Sequence, residues 1–298
     1  MAPRDFLLLL LICVCWAVNV LVSRVVIADW GVPPLFYAAL RFSGVLLLVW
    51  PWLRPAPRPT WRIVLVGLCM GAGNFALLNI GLLTATASSA AVVTQLGVPI
   101  TTLLSVMMLG ERISWRRGIG IALAFAGALL VIFDPAEFSV SAGLLYVLGC
   151  AAVASFGAVL IKQMEGVKPL TFQAWVSLVS APPLLLATFT AESGQPAASL
   201  AAGWPFALAL VFSVLVVSLF AHTAYYHLIG RYEANLLAPL TLLSPLMSIG
   251  LGVALAGERF DLRMAVGSAV ALGGVLLIAL RRSGRAGDAA LLRSDVQA

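Results

Sequence analysis

The longest stretch without a charged residue constrains this chain more than any other feature of its sequence. Between Arg62 and Glu111 lie 48 residues that include no Asp, Glu, Lys or Arg. A membrane-spanning helix needs about 20 mostly apolar residues. The stretch is therefore too long for one span, and it predicts two spans joined by a tight turn near Leu83–Ser88.

The composition of the whole chain supports a membrane protein. Hydrophobic residues make up 62% of the chain and charged residues only 10%, whereas soluble domains average about 45–50% and about 25%. A water-soluble enzyme, a nucleic-acid-binding protein and a disordered chain are therefore excluded. The net charge of +6 comes from short basic clusters between uncharged stretches, which is a membrane pattern and does not indicate a polyanionic partner.

Ten stretches are long and apolar enough to span a bilayer, so we predict an all-α integral membrane fold of ten transmembrane helices. The predicted helices cover residues 6–27, 34–53, 62–83, 86–109, 115–133, 141–163, 169–190, 205–229, 234–256 and 262–281. The first is interpreted as a retained helix and not as a cleaved signal peptide, because it contains Trp16, Asn19 and Arg24 and further spans follow it.

The distribution of basic residues predicts the orientation. With the N-terminus in the cytoplasm, 14 of the 18 Lys and Arg residues lie in cytoplasmic segments, as the positive-inside rule requires. Both termini are then cytoplasmic in a multi-pass protein of the cell (inner) membrane, and residues 282–298 form a solvated tail. Arg24, Arg259 and Arg263 remain outside, and Arg41 lies within a span.

The sequence also contains an internal repeat. Gly110-Glu111-Arg112 and Gly257-Glu258-Arg259 each precede a helix with two spaced glycines, at an offset of 147 residues. Arg24 likewise matches Lys162. We predict two five-helix repeats, residues 1–136 and 137–281. Because five is odd, the second repeat must enter the membrane inverted, and inverted repeats are typical of transporters with a substrate site at their interface.

These features resemble one known group of carriers. The helix with Trp16 and Arg24, the pair Arg41-Phe42, and the repeated Pro…Gly-Glu-Arg…Gly…Gly pattern are similar to EamA-type families of the drug/metabolite transporter superfamily. The similarity extends over about residues 6–281. It implies a ten-helix solute carrier, often an exporter of amino acids or other metabolites. Within the superfamily, the chain most resembles the exporters of aromatic and neutral amino acids.

Polar side chains inside the spans are the candidates for a substrate cavity. They are uncharged or aromatic, a composition that suits a zwitterion with an apolar side chain. Such groups can equally form hydrogen bonds between helices. Two of them, Asn74 and Asn79, are about 140° apart on a helix and cannot both face one cavity. The candidates are Trp16, Asn19, Asn74, Asn79, Gln95, Trp175, His222, Tyr225, Tyr226, Thr241 and Ser244.

Five further residues are candidates for gates or anchors. Arg24 and Lys162 lie near opposite faces and are expected to help close two gates. Arg41 is either a structural anchor whose stem extends to the interface or a ligand for a substrate carboxylate. Pro99 and Pro245 interrupt the hydrogen-bond ladder in mid-span. They therefore either free carbonyls for the cavity or kink the helices.

The charged and titratable groups limit the mechanism. All 12 carboxylates lie in loops or at helix ends, which argues against efflux of cations and against carboxylate-based proton coupling. His222 and His227 are the only histidines, and a hydrogen-bonding role for His222 is favoured over proton coupling. Facilitated transport without an obligatory ion is therefore the preferred interpretation.

No cofactor, metal site or enzymatic constellation is predicted. The four cysteines lie in apolar runs without metal-ligand spacing. The Gly71-Ala-Gly73 motif follows no strand, and Gly-Lys-Ser/Thr is absent, so neither a dinucleotide site nor an ATP site is indicated. The expected partners are a small-molecule substrate and membrane lipid, with no nucleic acid and no ATPase subunit. Efflux of drug-like compounds, nucleotide-sugar or phosphate-ester exchange, and a membrane enzyme remain the alternatives.

Overall fold

Ten apolar helices long enough to cross a membrane form the protein, in a computed structural model. The structure describes residues 1–110, 113–134, 139–164, 166–232 and 234–280. The helices are α1 (Pro3–Asp29), α2 (Pro34–Leu53), α3 (Thr60–Gly81), α4 (Ala87–Leu109), α5 (Trp115–Ile132), α6 (Ala142–Ile161), α7 (Pro169–Ala191), α8 (Gln195–Leu228), α9 (Pro239–Ala256) and α10 (Leu262–Ala279). The predicted all-α membrane fold is confirmed.

Some sequence predictions fall outside the described residues. Glu111 and Arg112 of the first Gly-Glu-Arg motif are among them, as are residues 135–138, Glu165, Glu233 and the tail after residue 280, which is predicted to be cytoplasmic. The inverted relation of the two repeats, and their boundary at residue 136, stay predictions.

The uncharged stretch after Arg62 divides where two spans were expected to meet. α3 ends at Gly81 and α4 begins at Ala87. The side chain of Thr86 accepts a hydrogen bond from the backbone N–H of Ser89 at 3.2 Å, and this cap fixes the start of α4.

α8 is longer than predicted, because it begins at Gln195 and not near residue 205. Its first residues form a separate helical stretch, since Gly203 adopts φ 63° and ψ −151° and breaks the helix just before Pro205. A backbone with positive φ favours glycine. The sequence predicts a loop before a span that begins at residue 205. In the structure this loop is itself helical from Gln195.

Two of the spans are interrupted at matching positions. In α4 the helical segments are Ala87–Thr94 and Gly97–Leu109. In α9 the break separates Leu243–Ala256 from the segment Ala234–Thr241, which begins before Pro239, the first residue of the span. Each break lies a few residues before a proline, Pro99 or Pro245, because proline has no N–H for the carbonyl one turn earlier. The two prolines are among the residues that match between the predicted repeats.

α5 and α10 pack directly on each other through the glycines of the repeated motif. A Cβ atom on Gly127 would lie 2.6 Å from the carbonyl oxygen of Gly267, and one on Gly274 would lie 2.6 Å from the carbonyl oxygen of Gly120. Small residues of this kind let helix backbones approach closely in a membrane. The repeated glycines therefore join the fifth span of one predicted repeat to the fifth span of the other.

The bundle has two ends, which are named here by the position of the N-terminus. The terminal face holds the start of α1 and the ends of α2 and α4, and the opposite face holds the start of α2 and of α4. Large exposed tryptophans lie at the terminal face, namely Trp50, Trp52, Trp61 and Trp115. Tryptophan is enriched at membrane–water interfaces, so these residues mark one boundary of the embedded region.

Candidate functional site

A cavity of about 270 Å³ lies in the middle of the bundle, and we call it the central cavity. Seven of the ten spans line it, and α5, α7 and α10 do not. The spans come from both predicted repeats. The residues used below are Trp16 and Asn19 of α1, Arg41 of α2, Asn74 and Phe75 of α3, Gln95 of α4, Cys150 of α6, His222 of α8, and Ser244, Pro245 and Ser248 of α9.

A smaller space of about 120 Å³ adjoins it and is called the side cavity. Arg41, Asn74, Phe75 and His222 line both spaces. α7 contributes to the side cavity, together with Tyr226 of α8. The residues shared by the two cavities therefore lie at the point where the spaces meet.

Two of these shared residues follow an unusual turn of their helix. Asn74 comes directly after a π-helical segment at Leu68–Gly73, and His222 comes directly after one at Phe212–Ala221. Such wide turns are rare and occur frequently at functional sites. Asn74 and His222 are also residues that match between the two predicted repeats, so the same local distortion recurs at both.

The side chain of Asn74 forms two hydrogen bonds within the protein. Its amide nitrogen donates to the carbonyl oxygen of Met70 at 3.3 Å, and its side-chain oxygen accepts from the thiol of Cys150 at 2.8 Å. Asn74 therefore fixes α3 against α6, and it keeps a second amide N–H and a second lone pair that these bonds do not use.

The imidazole of His222 is oriented by its own helix. Its Nδ1 lies 2.7 Å from the carbonyl oxygen of Val217. A carbonyl can only accept, so Nδ1 carries the proton and Nε2 of the neutral ring is left as an acceptor. The ring also packs against Trp16, with the ring centroids 5.7 Å apart.

Several polar groups at the central cavity have no partner among the described residues. The indole N–H of Trp16 and the hydroxyl of Ser248 are buried without a hydrogen bond. The side-chain amide of Gln95 also lines the cavity, and no hydrogen bond to it is found in the described part of the chain. Buried polar groups are usually satisfied. The described part of the protein therefore leaves these three groups, and Nε2 of His222, without a hydrogen-bond partner.

Arg41 is the one charged residue that lines either cavity, and it is only 3% exposed. Its Nε donates to the hydroxyl of Ser218 at 2.9 Å, and its Nη1 lies 3.3 Å from the side-chain oxygen of Asn19. The guanidinium carbon is 4.5 Å from the centre of the Phe75 ring, a cation–π distance. Neutral groups alone therefore surround this charge in the described part of the chain.

The other candidate cavity residues lie outside both cavities. Asn79 donates to the carbonyl oxygen of Pro34 at 3.1 Å, and the indole N–H of Trp175 donates to the carbonyl oxygen of Leu53 at 3.1 Å. Tyr225 packs edge-on against Trp16 at 4.9 Å between ring centroids. Neither Thr241 nor Pro99 lines the central cavity or the side cavity.

Arg24 and Lys162 lie at the two ends of the bundle. At the opposite face the Nε of Arg24 donates to the carbonyl oxygen of Ala85 at 3.1 Å, and its Nη1 pairs with Asp29 at 3.0 Å. At the other end, Lys162 donates to the hydroxyl of Ser105 at 3.2 Å. Each cation therefore links its own helix to an end of α4 or to the turn before it.

Glu258 makes a further contact at the opposite face. Its carboxylate accepts hydrogen bonds from the backbone N–H groups of Ala87 at 2.6 Å and Ser88 at 3.0 Å, and from the hydroxyl of Ser88. It therefore caps the first turn of α4 from beyond the end of α9. Carboxylates are stabilising at helix N-termini.

Phe75 and Cys150 were missed as cavity residues from the sequence. Phe75 has no signal of its own, because one phenylalanine in an apolar span looks like any other. A signal existed for Cys150, since a thiol inside a span can donate to a polar neighbour, but its partner Asn74 is 76 positions away.

Comparison with known proteins agrees with the ten-span fold. The family model described as "EamA-like transporter family" matches residues 5–133 and 141–280. A protein of Salmonella typhimurium described as a probable amino-acid metabolite efflux pump is 26% identical over 289 residues, which cover 93% of this chain and 95% of the relative. One of Streptantibioticus cattleyicolor, described as a probable terminal-alkyne amino-acid exporter, is 27% identical over 290 residues, covering 94% and 95%.

The fold has also been observed experimentally. One solved crystal structure superposes with a TM-score of 0.62 at 20% identity, and the match covers 93% of this chain and 98% of the other. At that identity the likeness concerns the fold alone.

Proposed function

Because the chain belongs to the EamA-like transporter family, we propose that it is a carrier that exports amino acids or their metabolites through the central cavity. The observation that carries this proposal is a mid-bundle cavity in which Trp16, Gln95 and Ser248 present polar groups without partners. These groups come from spans of both predicted repeats, where carriers with inverted repeats bind their substrates.

The central cavity can hold a small metabolite. It measures about 270 Å³, and the adjoining side cavity adds about 120 Å³. The aromatic rings of Trp16 and Phe75 supply an apolar surface for a side chain. The names of the two relatives described above support amino acids as the substrate class.

The proposed mechanism is alternating access in the cytoplasmic membrane, with both termini in the cytoplasm. The opposite face is then extracytoplasmic. The contacts of Arg24 and Glu258 hold that face together, and the contact of Lys162 with Ser105 belongs to the cytoplasmic gate. We propose that transport breaks these two sets of contacts in turn.

Counterflow in proteoliposomes tests the function. Vesicles containing the purified protein are preloaded in turn with individual amino acids, a cationic dye and a sugar phosphate, and uptake of the labelled compound is followed. We expect saturable exchange of aromatic or other neutral amino acids. Exchange of the dye alone, or of the sugar phosphate alone, would contradict the proposal, and protein-free vesicles give the background.

A pair of tryptophan variants tests the central cavity as the binding site. In Trp16→Phe a smaller aromatic ring stays and the unpartnered N–H is removed, so we expect substrate affinity to fall about tenfold and stability to fall less than in Trp175→Phe. In Trp175→Phe an N–H bonded to Leu53 is lost. We expect a loss of about 1 kcal/mol in stability and unchanged affinity.

Exchange KM values and thermal unfolding of both variants provide the measurements. If the two variants exchanged roles, with Trp175→Phe losing affinity and Trp16→Phe losing stability, the site would lie elsewhere than the central cavity.

A further inference from the structure

Arg41 is a charge that the folded protein does not neutralise within its described residues. Its side chain is 3% exposed and lines both cavities. The ion pairs in this part of the chain are Arg24–Asp29, Arg231–Asp5 and Arg263–Asp261, and Arg41 belongs to none of them. A buried ion is costly unless it is paired and hydrogen-bonded.

The neutral partners of Arg41 position the guanidinium without cancelling its charge. Ser218 and Asn19 accept hydrogen bonds from Nε and Nη1, and Phe75 contacts its face. Guanidinium has five N–H donors in a planar fork that matches a carboxylate. Two of the donors are engaged by the hydrogen bonds above, and the residue lies on the walls of two cavities. An anion bound in either cavity would supply the counter-charge that these partners do not.

We propose that Arg41 binds the carboxylate of the substrate, an inference that rests on the proposed function. The carrier then selects compounds that bear a carboxylate, whether zwitterionic or anionic. It rejects amines that lack one, because a cation beside Arg41 would be repelled. The indole N–H of Trp16 is a second donor at the same cavity, and Gln95 and His222 Nε2 can accept from a substrate ammonium.

The competing interpretation is that Arg41 only connects helices. Its hydrogen bonds join α2 to α1 and to α8, so removing the side chain affects packing under either interpretation. A purely structural arginine would lower stability without changing which ligands bind. The test must therefore compare ligands with and without a carboxylate, and must include the unaltered protein.

The first experiment uses the wild-type protein and four related compounds. L-Phenylalanine and phenylpyruvate carry a carboxylate, whereas phenylalaninol and phenethylamine have the same ring without one. Thermal unfolding of the purified carrier is measured with each compound at equal concentration. We expect stabilisation by the two carboxylates only. Equal stabilisation by phenethylamine or phenylalaninol, or stabilisation by no compound, would overturn the proposal.

The second experiment uses Arg41→Met, Arg41→Lys and the control Arg62→Met. Arg62 is a cation near the terminal face that donates to the carbonyl oxygen of Gln163 at 3.0 Å, outside both cavities. We expect Arg41→Met to weaken L-phenylalanine binding about tenfold to a hundredfold while its weak affinity for phenethylamine stays level or rises. Arg41→Lys should recover part of the preference, and Arg62→Met should retain all of it.

The outcomes separate this proposal from the proposed function. Amino-acid counterflow that phenylalaninol inhibits as well as L-phenylalanine does would leave the carrier function intact and overturn the role of Arg41. Carboxylate-selective stabilisation without amino-acid counterflow would support the role of Arg41 and reject amino-acid export. If Arg41→Met fails to fold, the wild-type ligand series alone decides.

Discussion

Replacing Gly274 with alanine is expected to destabilise the protein by about 3 kcal/mol, the upper end of the usual range for overpacking. The added Cβ would lie 2.6 Å from the carbonyl oxygen of Gly120 and against the backbone nitrogen of Ala124. Both obstacles are backbone atoms of α5, so no side chain can rotate away. The two helices must then separate along their whole contact.

The adjacent glycine provides the matched control. A Cβ on Gly273 meets nothing within 4 Å, and alanine is about 1 kcal/mol more favourable than glycine inside a helix. Gly273→Ala is therefore expected to be neutral or slightly stabilising. Thermal unfolding of the purified variants, followed by tryptophan fluorescence, gives the comparison. Equal stability of Gly273→Ala and Gly274→Ala would show that α5 and α10 are not in backbone contact.

Removing the carboxylate in Glu258→Ala is expected to loosen the opposite face. The N–H groups of Ala87 and Ser88 would lose their acceptor, and a buried donor left unsatisfied costs about 1–3 kcal/mol. A combined cost of about 3 kcal/mol shifts the balance between closed and open forms of this face by roughly a hundredfold. Access to the central cavity from that side should rise accordingly.

Cys150 reports that access, because it lines the central cavity. In a variant that keeps only this cysteine, a membrane-impermeant maleimide is applied from the extracytoplasmic side. Labelling should be faster after Glu258→Ala. Gly252→Ala should also speed the labelling of Cys150, because its Cβ would meet the carboxylate of Glu258 and lie 2.5 Å from the hydroxyl of Ser88.

Asp261→Ala is the control for this effect. Asp261 caps its own helix by accepting from the N–H of Met264 at 2.7 Å, and none of its hydrogen bonds or ion pairs reaches α4 in the described part of the chain. Its loss should lower stability by about 1 kcal/mol and leave the labelling of Cys150 unchanged. If neither Glu258→Ala nor Gly252→Ala changed the labelling rate of Cys150, the contact between Glu258 and α4 would not be what closes the opposite face.

The number of spans could be predicted from the sequence because the cost of burying charge in lipid is local and large. The boundary between α3 and α4 followed from length alone, since 48 uncharged residues cannot form one span. The prolines likewise marked where α4 and α9 are interrupted, because a missing N–H acts on its own turn. The surface helix before Gly203 was missed, because polarity and length do not distinguish a helical connection from a loop.

The residues that line the central cavity were harder to predict from the sequence, because their positions depend on partners that are far apart along the chain. The angle between Asn74 and Asn79 showed that only one of them could face a given cavity, and the structure places Asn74 there. Nothing in the sequence indicates that the indole of Trp175 reaches the backbone of Leu53, 122 positions away. The two interpretations of Arg41 could not be weighed from the sequence, because its neutral partners Asn19 and Ser218 lie 22 and 177 positions away.

The glycine contact between α5 and α10 has a mechanical consequence. Contact between two backbones leaves no flexible side chain to absorb displacement, and closely packed interiors transmit strain. The contact joins the last span of each predicted repeat and lies away from both cavities. A rearrangement that opened either face would therefore move the other spans relative to this closely packed pair, which would itself keep its shape.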